Sequence, residues 1–160
     1  MGCPKAFSLQ GGMGAALLRQ KEKAVDILTT LVKNIPRPIT CKIRILETLE
    51  GTLDLVRALT STGISAIGVH ARFTAERPRD SPHYDFVPEI VKISPVPVIA
   101  NGASGDIRAY QDVLDLRNRC TTTSIMLARA AELNPSIFRK EGLISSSEVV
   151  QAYLKHVRLA

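Results

Sequence analysis

Four short apolar stretches recur along the chain at nearly even spacing, and this rhythm limits the possible fold more than any other feature. They are "ITCKIRIL" at 39–46, "SAIGVH" at 65–70, "VPVIAN" at 96–101 and "TSIMLA" at 123–128, with starts about 26 to 31 residues apart. Each predicts a β-strand. The intervals carry helical periodicity. "LEGTLDLVRALTSTG" places Leu49, Leu53, Val56 and Leu59 on one face and reaches Gly63, a candidate C-cap. "YDFVPEIVKI" and "DIRAYQDVLDLRN" fill the next two gaps. Ahead of the first strand, "QKEKAVDILTTLVKNI" spaces Val25, Leu28 and Leu31 or Val32 for a helix, and the Ser-rich start of "SSSEVVQAYLKHVRLA" caps a last one. Strands alternating with helices at this period are parallel βαβ units with helices covering at least one sheet face. Four such units make half of a (β/α)₈ barrel, the TIM-barrel class. An open doubly wound sheet is the alternative. No glycine fingerprint of the dinucleotide type follows any strand. Polar residues do stand at the strand ends, where barrel sites lie.

Composition narrows the class. The chain has 160 residues, enough for a single domain, and an ordinary hydrophobic share of 45%. No run reaches the roughly 18 to 20 apolar residues of a membrane span, and no signal-peptide pattern opens the chain. Three cysteines, Cys3, Cys41 and Cys120, argue against a disulfide framework, and no Cys or His pair has zinc-finger spacing. The net charge of +6 suits an anionic partner, with RNA the first candidate and an inert basic surface the plainer reading. With no Trp and 4% aromatics, a base-stacking platform is poorly supported.

Chemistry-bearing residues gather at the strand ends. In "CKIRI", alternation puts Lys42 and Arg44 on one face and Cys41, Ile43 and Ile45 on the other. A helix must cover the apolar face, so the two cations point into the barrel, where they need a polar or anionic ligand. The alternative is an edge strand with both solvated. His70 ends the next strand beside Arg72, with Arg77 and Arg79 in the following loop. That grouping suits a phosphate or a flavin edge. A core histidine and a solvated basic loop are the plainer readings. Asn101 and Gly102 allow a tight turn whose N–H groups can meet a phosphate, and Arg129 opens a helix after the fourth strand. Cys3 lies in a Gly-Pro loop, a poor core position. An exposed thiol, mostly protonated at neutral pH, can serve as an acid.

Taken in order, "GCPK", "GGMGAALL", "CKIRIL", "VHAR", "VIANGAS" and "ARAAELNPSIF" resemble the tRNA-dihydrouridine synthases over nearly the whole chain. The wording of "GGMGAALL" and "CKIRIL" is most similar to the eukaryotic branch that reduces a D-loop uridine. The resemblance implies an FMN enzyme on a (β/α)₈ barrel, with NADPH as reductant and tRNA as substrate. It implies Cys3 as proton donor, Lys42 and His70 as flavin contacts, Asn101, Gly102 and Ala103 as the phosphate loop, and Ala128 with Arg129 as a second phosphate-binding turn. Lys5, Arg44, Arg72 and Arg77 become candidate substrate contacts. Many members carry glycine where this chain has Ala103, and bacterial members carry glycine at Ala128. The resemblance also implies that the chain matches only the last four βα units of the barrel. Residues 1–144 would be a partial FMN-binding barrel and 145–160 the start of a C-terminal helical region.

Several expectations follow from a half barrel. Four strands leave two open edges, and two copies pairing as a homodimer would close them. FMN binding is expected to be weak, and synthase activity weak or absent. A non-catalytic remnant, at most a basic RNA- or partner-binding module, is the alternative. A relative of dihydroorotate dehydrogenase is a third reading, disfavoured by the order of Cys3, Lys42 and His70. Reduced cysteines and a tRNA substrate suit the cytoplasm, with no membrane partner.

Overall fold

The computed structural model describes residues 1–103 and 105–157; Ser104 of the "VIANGAS" motif and the last three residues of the chain lie outside them. The four predicted strands are present, trimmed at their ends: β1 Thr40–Arg44, β2 Ala66–His70, β3 Val98–Asn101 and β4 Ser124–Met126. They form one parallel sheet in the order β1-β2-β3-β4. Sequential neighbours in a parallel sheet require a crossover between each pair. The helices α3 (Leu49–Thr60), α4 (Phe86–Ile93) and α5 (Tyr110–Arg119) occupy those crossovers. The helix α2 (Lys21–Asn34) precedes β1, as its periodicity predicts.

Two compact units are distinguished by their internal contacts. The first is Met1–Gly102 with Arg117–Met126 and contains the whole sheet. Its core lies on the helix-covered face, where Cys41, Ile43, Ile67, Val69, Val98 and Ala100 are all buried. Burying a side chain of this kind contributes about 1.5–3 kcal/mol for Val or Ile. Against them α3 sets Thr52, Leu55, Val56 and Leu59, and α4 sets Val87 and Ile90. The face of α3 is therefore rotated from the expected one: Leu49 is exposed, and Thr52 takes an inward position. Thr52 is inside because it is satisfied there: its Oγ1 accepts from Leu46 N at 2.9 Å and donates to Thr48 O at 2.9 Å. Thr48 caps the helix by accepting from Gly51 N at 3.2 Å. The helix ends at Thr60, and Gly63, with φ +89°, makes the turn that follows. On α2 the buried residues are Ala24 and Leu28, while Leu31 is exposed.

Two elements of the first unit are absent from the sequence reading. The stretch after Cys3 forms a short helix, α1 (Ala6–Gln10), and a 3-10 turn at Gly14–Arg19. Short glycine-rich segments carry too little periodicity to signal either.

The second unit is Ala103–Leu116 with the chain from Leu127 onward. It holds α6 (Arg129–Leu133), a 3-10 turn at Pro135–Phe138 and α7 (Ser146–Val157). Asn134 organises the connection: Oδ1 accepts from Ser136 N at 3.0 Å, and Nδ2 donates to Ile144 O at 2.9 Å. A reciprocal cap starts α7. Ser145 N donates to the Glu148 carboxylate at 2.9 Å, and Glu148 N donates to Ser145 Oγ at 3.3 Å. No residue of α7 is buried, and Val150, Tyr153, Leu154 and Val157 are exposed. No described helix is long and apolar enough to cross a membrane.

Candidate active site

Strand register aligns the polar residues. Arg44, His70, Asn101 and Met126 are successive partners across the C-terminal ends of the four strands. Two residues earlier, Lys42, Gly68, Ile99 and Ser124 form the next row on the same face. This is the face opposite the helix-covered core, as alternation demands. Gly68 has a specific task here: a Cβ on it would sit 3.3 Å from Lys42 Cγ. The lysine stem lies across the space that Gly68 leaves. An isolated glycine inside "AIGVH" is the sequence signal for such a close approach.

Lys42 is half-buried, and no hydrogen bond or ion pair among the described residues meets its ammonium. Desolvation, with the nearby Arg44 charge second, holds its pKa below the ordinary 10.5. A desolvated cation lacking an acceptor is a group suited to receive one from a ligand.

Cys3 stands exposed in the first loop. A side-chain hydrogen bond from the buried Ser8, a backbone hydrogen bond from Lys5 and the charges of Lys5 and Arg44 hold its thiol below the ordinary 9.0. The backbone around it is tightly fitted. Ala15 N donates to Cys3 O at 2.9 Å. Gly14 has φ +55°, and a Cβ on it would lie 2.6 Å from Cys3 O. Ser8 and Gly14 are site residues that the sequence reading does not single out.

For Arg44 the sequence leaves two fates, a ligand or solvent, and the structure shows a third. The side chain is buried, and its guanidinium donates to three backbone carbonyls. Nε meets Gly2 O at 3.2 Å, and Nη1 meets Phe73 O at 2.7 Å and Glu76 O at 3.2 Å. Arg72 is buried likewise. It donates to Gly102 O at 2.7 Å, to Asp80 O at 2.7 Å and to Nε2 of His70 at 3.1 Å. A guanidinium has no lone pair to offer, so His70 Nε2 is the acceptor and the neutral ring carries its proton on Nδ1. Arg77 turns onto its own loop, meeting the carbonyls of Thr74, Ala75 and Glu76 at 3.0–3.3 Å. Lys5 is exposed.

Asn101 is buried and donates from Nδ2 to Met126 O at 2.7 Å, which ties the ends of β3 and β4. Gly102 follows with φ +136°, and a Cβ there would be 3.3 Å from the His70 ring. The structure thus brings Lys42, His70, Arg72, Asn101 and Gly102 to one end of the sheet in the first unit. In the second unit, Ala103 is buried, while Ala128 and Arg129 are exposed where α6 begins.

A scan against protein-family models matches residues 1–158 to the family described as Dihydrouridine synthase (Dus). The chain belongs to the dihydrouridine synthase family. Curated relatives agree. A tRNA-dihydrouridine(20) synthase, NAD(P)+, of Schizosaccharomyces pombe is 42% identical over 96% of this chain and 33% of the relative. Its Saccharomyces cerevisiae namesake is 41% identical over 86% of the chain and 38% of the relative. A human tRNA-dihydrouridine(20a/20b) synthase, NAD(P)+-like, is 34% identical over 86% of the chain and 43% of the relative. The chain therefore spans well under half the length of these dihydrouridine synthases. Among solved structures, the dihydrodipicolinate synthase of Acinetobacter baumannii superposes with a TM-score of 0.50 at 15% identity, covering 68% of this chain and 38% of that one. At such identity the likeness concerns the fold alone. The family and this fold together make the four βα units a partial (β/α)₈ barrel.

Proposed function

We propose that this segment carries the proton donor and part of the flavin site of a tRNA-dihydrouridine synthase, reducing a D-loop uridine with FMN and NADPH. One observation carries the reading: an exposed thiol of lowered pKa and a half-buried ammonium that meets no acceptor among the described residues both belong to the unit that holds the sheet. Lys42 would hold the electron-rich edge of the flavin ring, with His70 as a second ring contact on the resemblance. The Gly102 backbone, which no Cβ obstructs beside the His70 ring, suits a closely approaching group. On the resemblance, Asn101 and Gly102 would serve the phosphate; Ala103, Ala128 and Arg129 belong to the second unit.

The chemistry that FMN would supply when bound, with NADPH as reductant, is a hydride for one carbon of the uracil double bond. Cys3 then has the complementary task. Its S–H donates a proton to the other carbon, so that one hydride and one proton saturate the bond, and the thiolate left behind regains a proton from water. A thiol below its ordinary pKa is a better acid for this step, and the neighbouring Lys5 and Arg44 charges stabilise the thiolate product.

A flavin-fluorescence titration of the purified chain tests the proposal. Saturable FMN binding is expected, retained in Cys3→Ala and lost in Lys42→Met. No saturation up to millimolar FMN, with RNA still bound, would favour the basic RNA-binding module instead.

A further inference from the structure

We infer that Arg44 is a positioning residue whose guanidinium fastens the Cys3 loop to the loop after β2 and so sets where the Cys3 sulfur stands. Its catalytic meaning rests on the reading of Cys3 as proton donor; the geometry does not. The three carbonyls that Arg44 meets come from two segments far apart in sequence, Gly2 on one side and Phe73 with Glu76 on the other. A buried cation is tolerated only when such acceptors surround it. A planar fork can address two directions at once, which an ammonium on a flexible stem does not do.

Each end of the tether is anchored in turn. On the far side the Glu76 carboxylate accepts from Phe73 N at 2.6 Å and pairs with His83 at 2.7 Å, and the Phe73 and His83 rings stack at 4.2 Å. On the near side Cys3 is gripped on both flanks. Arg44 holds the carbonyl just before it, and Ala15 N–H holds its own. The charged groups that bear on the thiol are Lys5, Arg44 and, on the loop's own N-terminal side, the Met1 ammonium. Lys5 is exposed on the loop itself, so Arg44 is the charged group that links the thiol to the sheet.

The test is the rate of Cys3 alkylation by iodoacetamide across pH, on the full chain. Burial pushes the Cys41 and Cys120 thiols up to about 11, so near neutral pH the reagent reads Cys3. Cys3 is already exposed, so loosening the loop adds little access, and losing the tether lowers the thiolate share. Arg44→Gln is expected to alkylate about threefold more slowly at neutral pH, with its pH profile moved upward. Hydrogen exchange should quicken together in residues 1–8 and 73–80 and stay unchanged in α2. Arg44→Lys, which keeps the charge without the fork, should recover part of the rate and the protection of neither loop. Parental alkylation in Arg44→Gln, complete rescue by lysine, or loss of protection throughout the chain would each overturn the inference. Should Arg44→Gln fail to fold, the unaltered chain decides. The Arg44 Nε–H should exchange at least about tenfold more slowly than that of the exposed Arg57, and equal rates would overturn the tether. A Cys3→Ala chain that kept turnover would instead sink the proton-donor reading and leave the tether standing.

Discussion

At the scale of single residues, the site depends on positions with no chemistry of their own. Gly14 combines a left-handed backbone with a 2.6 Å approach of any added Cβ to Cys3 O. Gly14→Ala should therefore cost about 1–3 kcal/mol in denaturant unfolding and slow Cys3 alkylation. A substitution as stable as the parent would show that the loop relaxes freely. The Arg72–His70 contact makes a second prediction. Nitrogen NMR of the histidine ring should report the Nδ1–H tautomer, and Arg72→Met should shift the Nε2 resonance. Finding the proton on Nε2 would contradict the contact. Lys42, His70, Asn101 and Gly102 were legible as candidates because strand alternation and strand ends locate them, and Cys3 because a thiol in a Gly-Pro loop is a poor core residue. The uses of Arg44 and Arg72 were not legible, because their acceptors are carbonyls in loops that no sequence pattern aims.

Elements were legible where their periodicity is long. The four strands and the helices α2 to α5 stand where the pattern predicts; β1 to β3 and these helices bury apolar residues, whereas β4 has none buried. The face of α3 was misjudged by one step. Hydropathy favours Leu49 over Thr52, yet Thr52 meets two backbone partners and Leu49 meets solvent. Thr52→Val keeps the shape and removes those bonds, leaving Leu46 N–H without its acceptor. It should cost about 1–3 kcal/mol in denaturant unfolding, and a neutral result would mean that water takes over the Leu46 N–H. The cap of α7 is more local. Ser145→Ala should lower helicity at that end by circular dichroism and cost about 0.5–2 kcal/mol.

For the whole molecule, two buried thiols impose a direction on alkaline stability. Burial raises Cys41 and Cys120 from an ordinary 9.0 to about 11. In the unfolded chain both ionise near the lower value, so above it the unfolded chain sheds protons that the folded chain retains. Their contribution is intact below pH 9 and is lost as pH rises toward 11, at up to about 1.4 kcal/mol per thiol per pH unit. Denaturant midpoints should fall between pH 8 and pH 10, and less steeply in a Cys41→Ala/Cys120→Ala chain. Equal slopes would assign the loss to other groups.

The sequence by itself determined the class of parallel βα units and the strand ends at which polar residues collect. Periodicity and alternation are properties of the local chain, and they decide these things wherever one face must leave water. Only the tertiary structure decided which cations remain available. Lys42 and Arg44 lie two residues apart on the same face of the same strand. Gly68 leaves room for the lysine stem, and no acceptor among the described residues meets its ammonium; three loop carbonyls close around the arginine. The difference lies in backbone groups brought close from distant parts of the chain, and that proximity exists only once the loops are folded.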